Sequence, residues 1–321
     1  MTIERAHAHA IPKPWGVVDL HPWSNKSSDG GAVGEIWYER PGTVDAVPSL
    51  LLKLLFTSQP LSIQVHPDDT FAQSIGQPSG KTEAWYVLSA APEAKVVLGL
   101  NQRLTPQEFR EAIDDGSISS LVRWQTVLPD DVIFVPAGTI HAIGAGLVIA
   151  EIQQRSDVTF RLFDHGRQRE LHIESAIKVA NAGPAHLQLK ASRLTDERTL
   201  LVSSPHFVFE RIDLAPNSVW RLDAECETWI LVLNGSARAG PFDVAIGDAV
   251  FAQSDRVDIH VGNIGVAALA AYKAAGPLPL LLQPLRPTGA IDAGRRPGVQ
   301  VPTSRAQAEA PPTFGRLDNI Q

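Results

Sequence analysis

The feature that most constrains this chain is how its apolar residues are cut into short pieces. Twenty-four prolines and 24 glycines interrupt them. The first set of runs is "VPSLLLKLLFTSQPLSIQVH", "TEAWYVLSA", "KVVLGL", "DVIFVPAG", "LVIAEIQQ" and "VTFRLFD". After residue 200 come "HFVFERIDL", "ETWILVLNGSARAG", "FDVAIGDAVFAQS" and "VAALAAYKA". Strand-length runs bounded by turn formers are the pattern of an all-β barrel or sandwich. Two clusters of similar length predict two barrels in series, and 321 residues with 44% hydrophobic content are enough to fill both.

Helix signals are few. In "TPQEFREAIDDG", Thr105 can cap, Pro106 suits the first helical position and Glu108 completes a capping box, with Gly116 as the stop. Phe109 and Ile113 form an apolar i, i+4 pair. This predicts a short helical insertion near 105–121. A connecting helix in "ELHIESAIKVAN", with Glu174 and Lys178 as an i, i+4 pair, leads into the linker "AGPAHLQLKASRLTD". The expected organisation is a first barrel over 1–182, a second over 183–283, and a flexible Pro/Gly/Ala-rich tail over 284–321.

Composition narrows the function classes. The charge sum of −7, with no basic run, argues against nucleic acid as a partner. A single cysteine, Cys226, leaves no internal disulfide and no thiolate-rich zinc site, which suits a reducing cytoplasm. "MTIERAHAHAIPKPWG" holds no long apolar segment, and nothing elsewhere approaches about 18 uninterrupted apolar residues, so no membrane span is expected. The motifs carry no signal of oligomeric state.

One strand does not fit a simple core. In "LSIQVHPDD", Ser62, Gln64 and His66 share one face, and Ile63 and Val65 share the other. If the polar face is the inner one, something must satisfy it. Lys81 and Glu83 in "GKTEAWYVL" again share a face, and "VPAGTIHAIG" delivers His141 from a Pro-x-Gly-x-x-His turn. Singly, each has an ordinary reading: a histidine before proline is usually a surface or capping residue, and a strand glutamate is usually solvated. Together Gln64, His66, Glu83 and His141 offer two imidazoles, a carboxylate and an amide oxygen. That set suits zinc or another divalent first-row ion, with positions left for water or substrate.

"QVHPDD", "GKTEAW", "PAGTIHAIG" and "EIQQRSDVTFRLFDHGR" occur in the order of the signatures of type I mannose-6-phosphate isomerase, and "IPKPWG" resembles that family's opening motif. The resemblance runs from about Ile11 to Ala180, continues more weakly to about residue 280, and is to the compact bacterial form. It implies a pair of cupin (jelly-roll) barrels and one zinc ion per chain, held by Gln64, His66, Glu83 and His141. It also implies a sugar-phosphate substrate, interconversion of mannose 6-phosphate and fructose 6-phosphate through an enediol, and substrate-facing Lys81 and Arg161. Ser62 becomes a phosphate donor, Lys81 an acid or base if its pKa falls, and Glu151 and Asp157 acid/base candidates. The ordinary reading of Arg161 and Asp157 is a structural ion pair.

Other residues are set aside. His7 and His9 lie at a terminus expected to fray. His21, His165, His172, His186 and His206 lack partners at ligand spacing, and Trp15 and Trp85 are read as packing near the mouth of the site. In the second barrel Gly247 and Asp248 repeat the family's turn. Gln253, Asp255 and Asp258 stand where the first barrel has Pro136, Gly138 and His141, with His260 out of place, so a structural role without metal is expected. Asp130 replaces the usual glycine of the first barrel's turn. The rival readings are a non-catalytic sugar-phosphate-binding cupin and an iron cupin oxidoreductase.

Overall fold

The computed structural model describes residues 3–26, 31–41, 47–185 and 190–285, which lie in one compact unit, Met1–Leu285. The tail from 286, residue His186 and linker positions 186–189 fall outside the described residues. Pro284, expected in the tail, instead ends the strand Leu282–Pro284 and pairs with Trp220.

Three antiparallel sheets carry the chain. A six-stranded sheet runs in the order His7–Val17, Val33–Glu39, Leu50–Thr57, Leu147–Gln154, Glu83–Ala90, Val132–Val135. Facing it is a five-stranded sheet of Phe160–Phe163, Ile63–Val65, His141–Ile143, Lys95–Leu100 and Val122–Thr126. The third, of ten strands, holds the described strands after residue 190 together with Glu4–Arg5, which pairs with Phe251 and Val250. The terminus is therefore tied down from residue 3, where Ile3 N–H donates to Asp255. His7 and His9 begin an edge strand, their rings 4.2 Å apart.

Alternation along the six-stranded sheet sets where chemistry can sit. Leu50, Leu52, Leu54 and Phe56 point outward into a core shared with Leu201, Phe207, Trp229 and Phe251 of the third sheet. Ala84, Tyr86, Ala150 and Ile152 join the same core. The intervening residues face the inside of the first barrel. Because both faces of this sheet are covered, Leu50–Thr57 reads as an unbroken apolar run and is buried at every position, Lys53 included.

The five-stranded sheet is covered on its outer face by helices. Ile63, Val65, Ala142 and Leu162 pack there against Phe109, Ile113 and Ile118. The helix Pro106–Asp114 starts as the sequence predicts, with both bonds of the Thr105–Glu108 capping box formed. Glu174, at the start of Ile173–Val179, finds a partner the sequence reading did not name, a bidentate contact with Arg110. A short helix, Asp69–Ser74, was not anticipated; Asp68 caps it by accepting from Phe71 N–H.

The third sheet curls around a different interior. Ile212, Leu222, Ile230, Val250 and Ile259 fill it, around an apolar void of about 30 Å³. Gly247 has the positive φ of +80° expected of its turn, and Asp130, in the place of glycine, also adopts a positive φ, +73°. Aspartate tolerates this conformation better than most residues. Here its carboxylate also accepts from Tyr86 Oη at 2.5 Å and from Arg211 of the third sheet at 3.0 Å.

Candidate metal centre and its cavity

The polar alternation in "LSIQVH" is resolved by the two covers. Ile63 and Val65 face the helices, so Ser62, Gln64 and His66 face the barrel interior. His141 pairs directly opposite Gln64 across the ladder. It follows Gly138, whose φ of +84° turns the loop, while Glu83 opens its strand on the opposite sheet.

These segments bring His66, Glu83 and His141 together. All three are about 1% exposed, and one ligand atom from each lies within 4.8 Å of the others. His66 Nε2 is 3.5 Å from Glu83 Oε2, and His141 Nε2 is 3.4 Å from Glu83 Oε1. Each imidazole places Nδ1 2.9 Å from a backbone carbonyl, of Val158 for His66 and of Thr139 for His141. Donation there assigns the proton to Nδ1 and leaves an Nε2 lone pair facing the centre. Burial, the largest cause, drives the His66 pKa down to about 3 and lowers that of His141, which favours the neutral imidazole. His66 Nε2 and Glu83 Oε2 are buried with no hydrogen-bond partner. Glu83 Oε2 has Lys81 Nζ at 3.2 Å as an ion pair, whereas the His66 Nε2 lone pair has no donor; an unpaired imidazole lone pair beside a carboxylate and a second imidazole fits a cation there.

Gln64 borders the same point, but with its amide nitrogen 3.2 Å from His141 Nε2, while its oxygen accepts from Ser62 Oγ at 3.0 Å. The expected oxygen ligand therefore requires the amide to turn over.

Charge is layered around the centre. Burial by itself would raise the Glu83 pKa, but Lys81, 3.2 Å away, holds it well below the usual carboxylate range. Lys81 itself is fully enclosed, yet Glu83, Glu151 and Asp157 outweigh that burial and raise its pKa. With these carboxylates around it, Lys81 is held as an ammonium. Glu151 behaves oppositely: burial and then Glu83 push it up to about 7, against the pull of Lys53 and Lys81. Trp85, completely buried, donates its indole N–H to both Glu83 and Glu151 at 3.1 Å.

Lys53 went unnoticed in the sequence because it sits inside an apolar run. Its Nζ is 3.6 Å from Glu151 and 3.9 Å from Glu35, and 4.5 Å from the centre of the Trp37 ring. Glu35 also meets Lys13 at 3.2 Å. The available signal was strand parity, since Glu35, Lys53 and Glu151 all face the interior.

A cavity of about 320 Å³ opens over this set, within the range of small-molecule sites. Ser62, Lys53, Lys81 and Glu151 line its depth; Arg161, Arg169, Asp157 and His172 line its mouth. Arg161 donates to the Glu170 carbonyl at 2.6 Å rather than to Asp157, and its Nε is buried without a partner. His172, set aside in the sequence, accepts from Arg161 backbone N–H at 3.1 Å. Arg167 and Arg169 are anchored on buried Asp164, with Arg169 5.2 Å from the centre of the Trp15 ring.

No protein-family model matches the chain. Over 170 residues it is 42% identical to a mannose-6-phosphate isomerase of Streptococcus mutans serotype c, covering 49% of this chain and 52% of that protein. Over 185 residues it is 37% identical to the "Probable mannose-6-phosphate isomerase GmuF" of Bacillus subtilis, covering 54% and 56%. The matches thus span about half the length of these curated relatives. In three dimensions, 85% of the chain superposes on the whole of the crystal structure of mannose 6-phosphate isomerase from Bacillus subtilis, at 24% identity and a TM-score of 0.73. This chain has the fold of a mannose-6-phosphate isomerase. The mostly-β, cupin-like architecture expected from the resemblance is the one it adopts.

Proposed function

We propose that the chain is a metal-dependent aldose–ketose isomerase that interconverts mannose 6-phosphate and fructose 6-phosphate, with one zinc ion per chain. The observation that carries this reading is the buried His66, Glu83 and His141 cluster, in which the His66 Nε2 lone pair is unpartnered and Glu83 opens onto a cavity lined by Lys53, Lys81 and Arg161. The curated relatives named for this activity support it over half their length. We assign the part of 1–182 that follows Glu4–Arg5 as the catalytic barrel, the third sheet as far as Pro284 as its structural partner, and a reducing cytoplasm as the compartment, the last on the strength of one cysteine in 321 residues.

His66, Glu83 and His141 would hold the ion, with Gln64 joining when its amide oxygen turns inward. Bound zinc would supply Lewis-acid polarisation of the sugar's C1 and C2 oxygens. Moving a proton between C1 and C2 develops negative charge on those oxygens. Lys81, held as an ammonium, and Arg161, always charged, offer donors for that charge or for the phosphate. Ser62 Oγ, bonded to Gln64, is positioned to switch to a phosphate oxygen. Glu151, with a pKa of about 7, can take up and return the migrating proton at neutral pH. Asp157, at the exposed rim, remains the alternative proton carrier.

The test is formation of fructose 6-phosphate from mannose 6-phosphate by the purified chain. Chelation is expected to abolish turnover and zinc to restore it. Full activity in a preparation free of metal by elemental analysis would remove the metal from the mechanism, and binding of the sugar phosphate without turnover would make the chain a binding protein instead.

A further inference from the structure

We propose that Gln154 and Asp69 are positioning residues for the metal centre, an inference that rests on the metal reading above. Glu83 is the first residue of its strand and pairs with Gln153, the last ladder pair on that side. One step further, Thr82 has no strand residue to take its N–H. The Gln154 side chain takes it instead, Oε1 accepting from Thr82 N–H at 2.9 Å while Gln154 N–H donates to Thr82 O at 3.0 Å. Both residues are buried, so breaking these bonds leaves buried polar groups to be re-satisfied. The remaining end of the Gln154 amide donates to Asp69 Oδ1 at 2.8 Å, and Gly80 N–H donates to the same oxygen at 2.8 Å.

Asp69 lies three residues beyond His66, and Gly80 three residues before Glu83. One carboxylate oxygen therefore pins the chain leaving one ligand to the chain entering another. The approach is too close for a side chain, since a Cβ on Gly80 would meet the Pro67 carbonyl oxygen at 2.5 Å. The third ligand joins the same frame. Thr82 Oγ1 accepts from Ala137 N–H at 3.2 Å, and Gly138 N–H donates to His66 O at 2.8 Å, both from the turn that delivers His141. Gln154, Thr82 and Asp69 are thus the side chains that lock three ligand-bearing segments together. Asp69 also faces His206, in the turn between the strands Arg198–Ser203 and Val208–Leu214, at 3.9 Å.

A metal site tolerates only small displacements of its ligands, so loss of bonds that hold the ligand-bearing segments together weakens metal binding. The experiment measures zinc affinity of the full chain by competition with a chromophoric chelator, together with the visible absorption bands of the cobalt-loaded protein. Asp69→Ala and Gln154→Leu are expected to weaken zinc binding at least tenfold and to shift the cobalt bands. Asp69→Asn keeps the accepting oxygen and is expected to retain wild-type affinity and spectrum. A purely structural role would lower the melting temperature and leave both metal readouts unchanged, which would overturn the proposal. A fall in Asp69→Asn equal to that in Asp69→Ala would overturn it too, by assigning the effect to charge. Because Asp69 is half-exposed, its two variants carry the test if Gln154→Leu does not fold. A wild-type chain that binds no zinc would overturn the metal reading itself and this inference with it.

Discussion

At the scale of single residues, enclosure in one small volume gives chemically similar groups opposite protonation. Glu83 and Glu151 share the indole N–H of Trp85, yet Lys81 keeps Glu83 ionised while burial brings Glu151 to about 7. For a base with that pKa, the reactive carboxylate is scarce at pH 6 and dominant at pH 8. We expect kcat/KM to rise about tenfold per pH unit below 7 and to level off above it, with Glu151→Gln at least a hundredfold slower and without that rise. A pH–rate profile unchanged in the variant would transfer the role to Asp157. Arg161 offers its donors where charge develops, so Arg161→Lys should lower kcat by a larger factor than it raises KM in steady-state kinetics. Near-normal values of both would place Arg161 outside the reaction.

At the scale of elements, covers decide faces. Leu50–Thr57 could present either parity inward; it presents Lys53 and Leu55 inward because Leu52, Leu54 and Phe56 are claimed by the third sheet. The insertion helix is specified locally. Thr105 and Glu108 close both capping bonds, and Phe109 and Ile113 then seat the helix on the outer face of the ligand sheet. Thr105→Ala should cost about 1 kcal/mol of helix stability. Faster amide exchange across Pro106–Asp114, with the metal-site residues unaffected, is the expected observation; equal protection in both proteins would show the cap to be redundant.

At the scale of the whole molecule, the two barrels use one motif in opposite ways. Glu83 and Trp85 recur as Glu227 and Trp229, and each indole N–H donates to its own glutamate at 3.1 Å. In the first barrel the pair faces inward. In the second, Trp229 faces the shared core, and Glu227 crosses the seam to accept from Ser49 N–H at 2.7 Å, Ser49 Oγ at 2.6 Å and Leu50 N–H at 2.8 Å. The second barrel's counterpart of a ligand is a clamp. Removing it leaves buried donors without an acceptor, so Glu227→Ala should destabilise the chain by about 3 kcal/mol in urea unfolding. A change within experimental scatter would mean that the apolar seam alone holds the barrels. His260, exposed on a long strand, makes the contrast: His260→Ala should leave turnover within about twofold when fructose 6-phosphate formation is assayed.

The sequence by itself determined what is periodic or local: strand-length runs, the capped helix, and a polar alternation that puts Ser62, Gln64 and His66 on one face. Such signals are written in neighbouring residues, and so they can be read without coordinates. Tertiary structure alone decided which face of each strand is inside. That choice brought Lys53, Glu35 and His172 to the cavity, set Glu227 on the seam, and tied Glu4–Arg5 to a strand nearly 250 residues away. The physical reason is that burial is conferred by what packs from elsewhere in the chain. A lysine among leucines acquires chemical meaning only once the opposing sheets have closed over it.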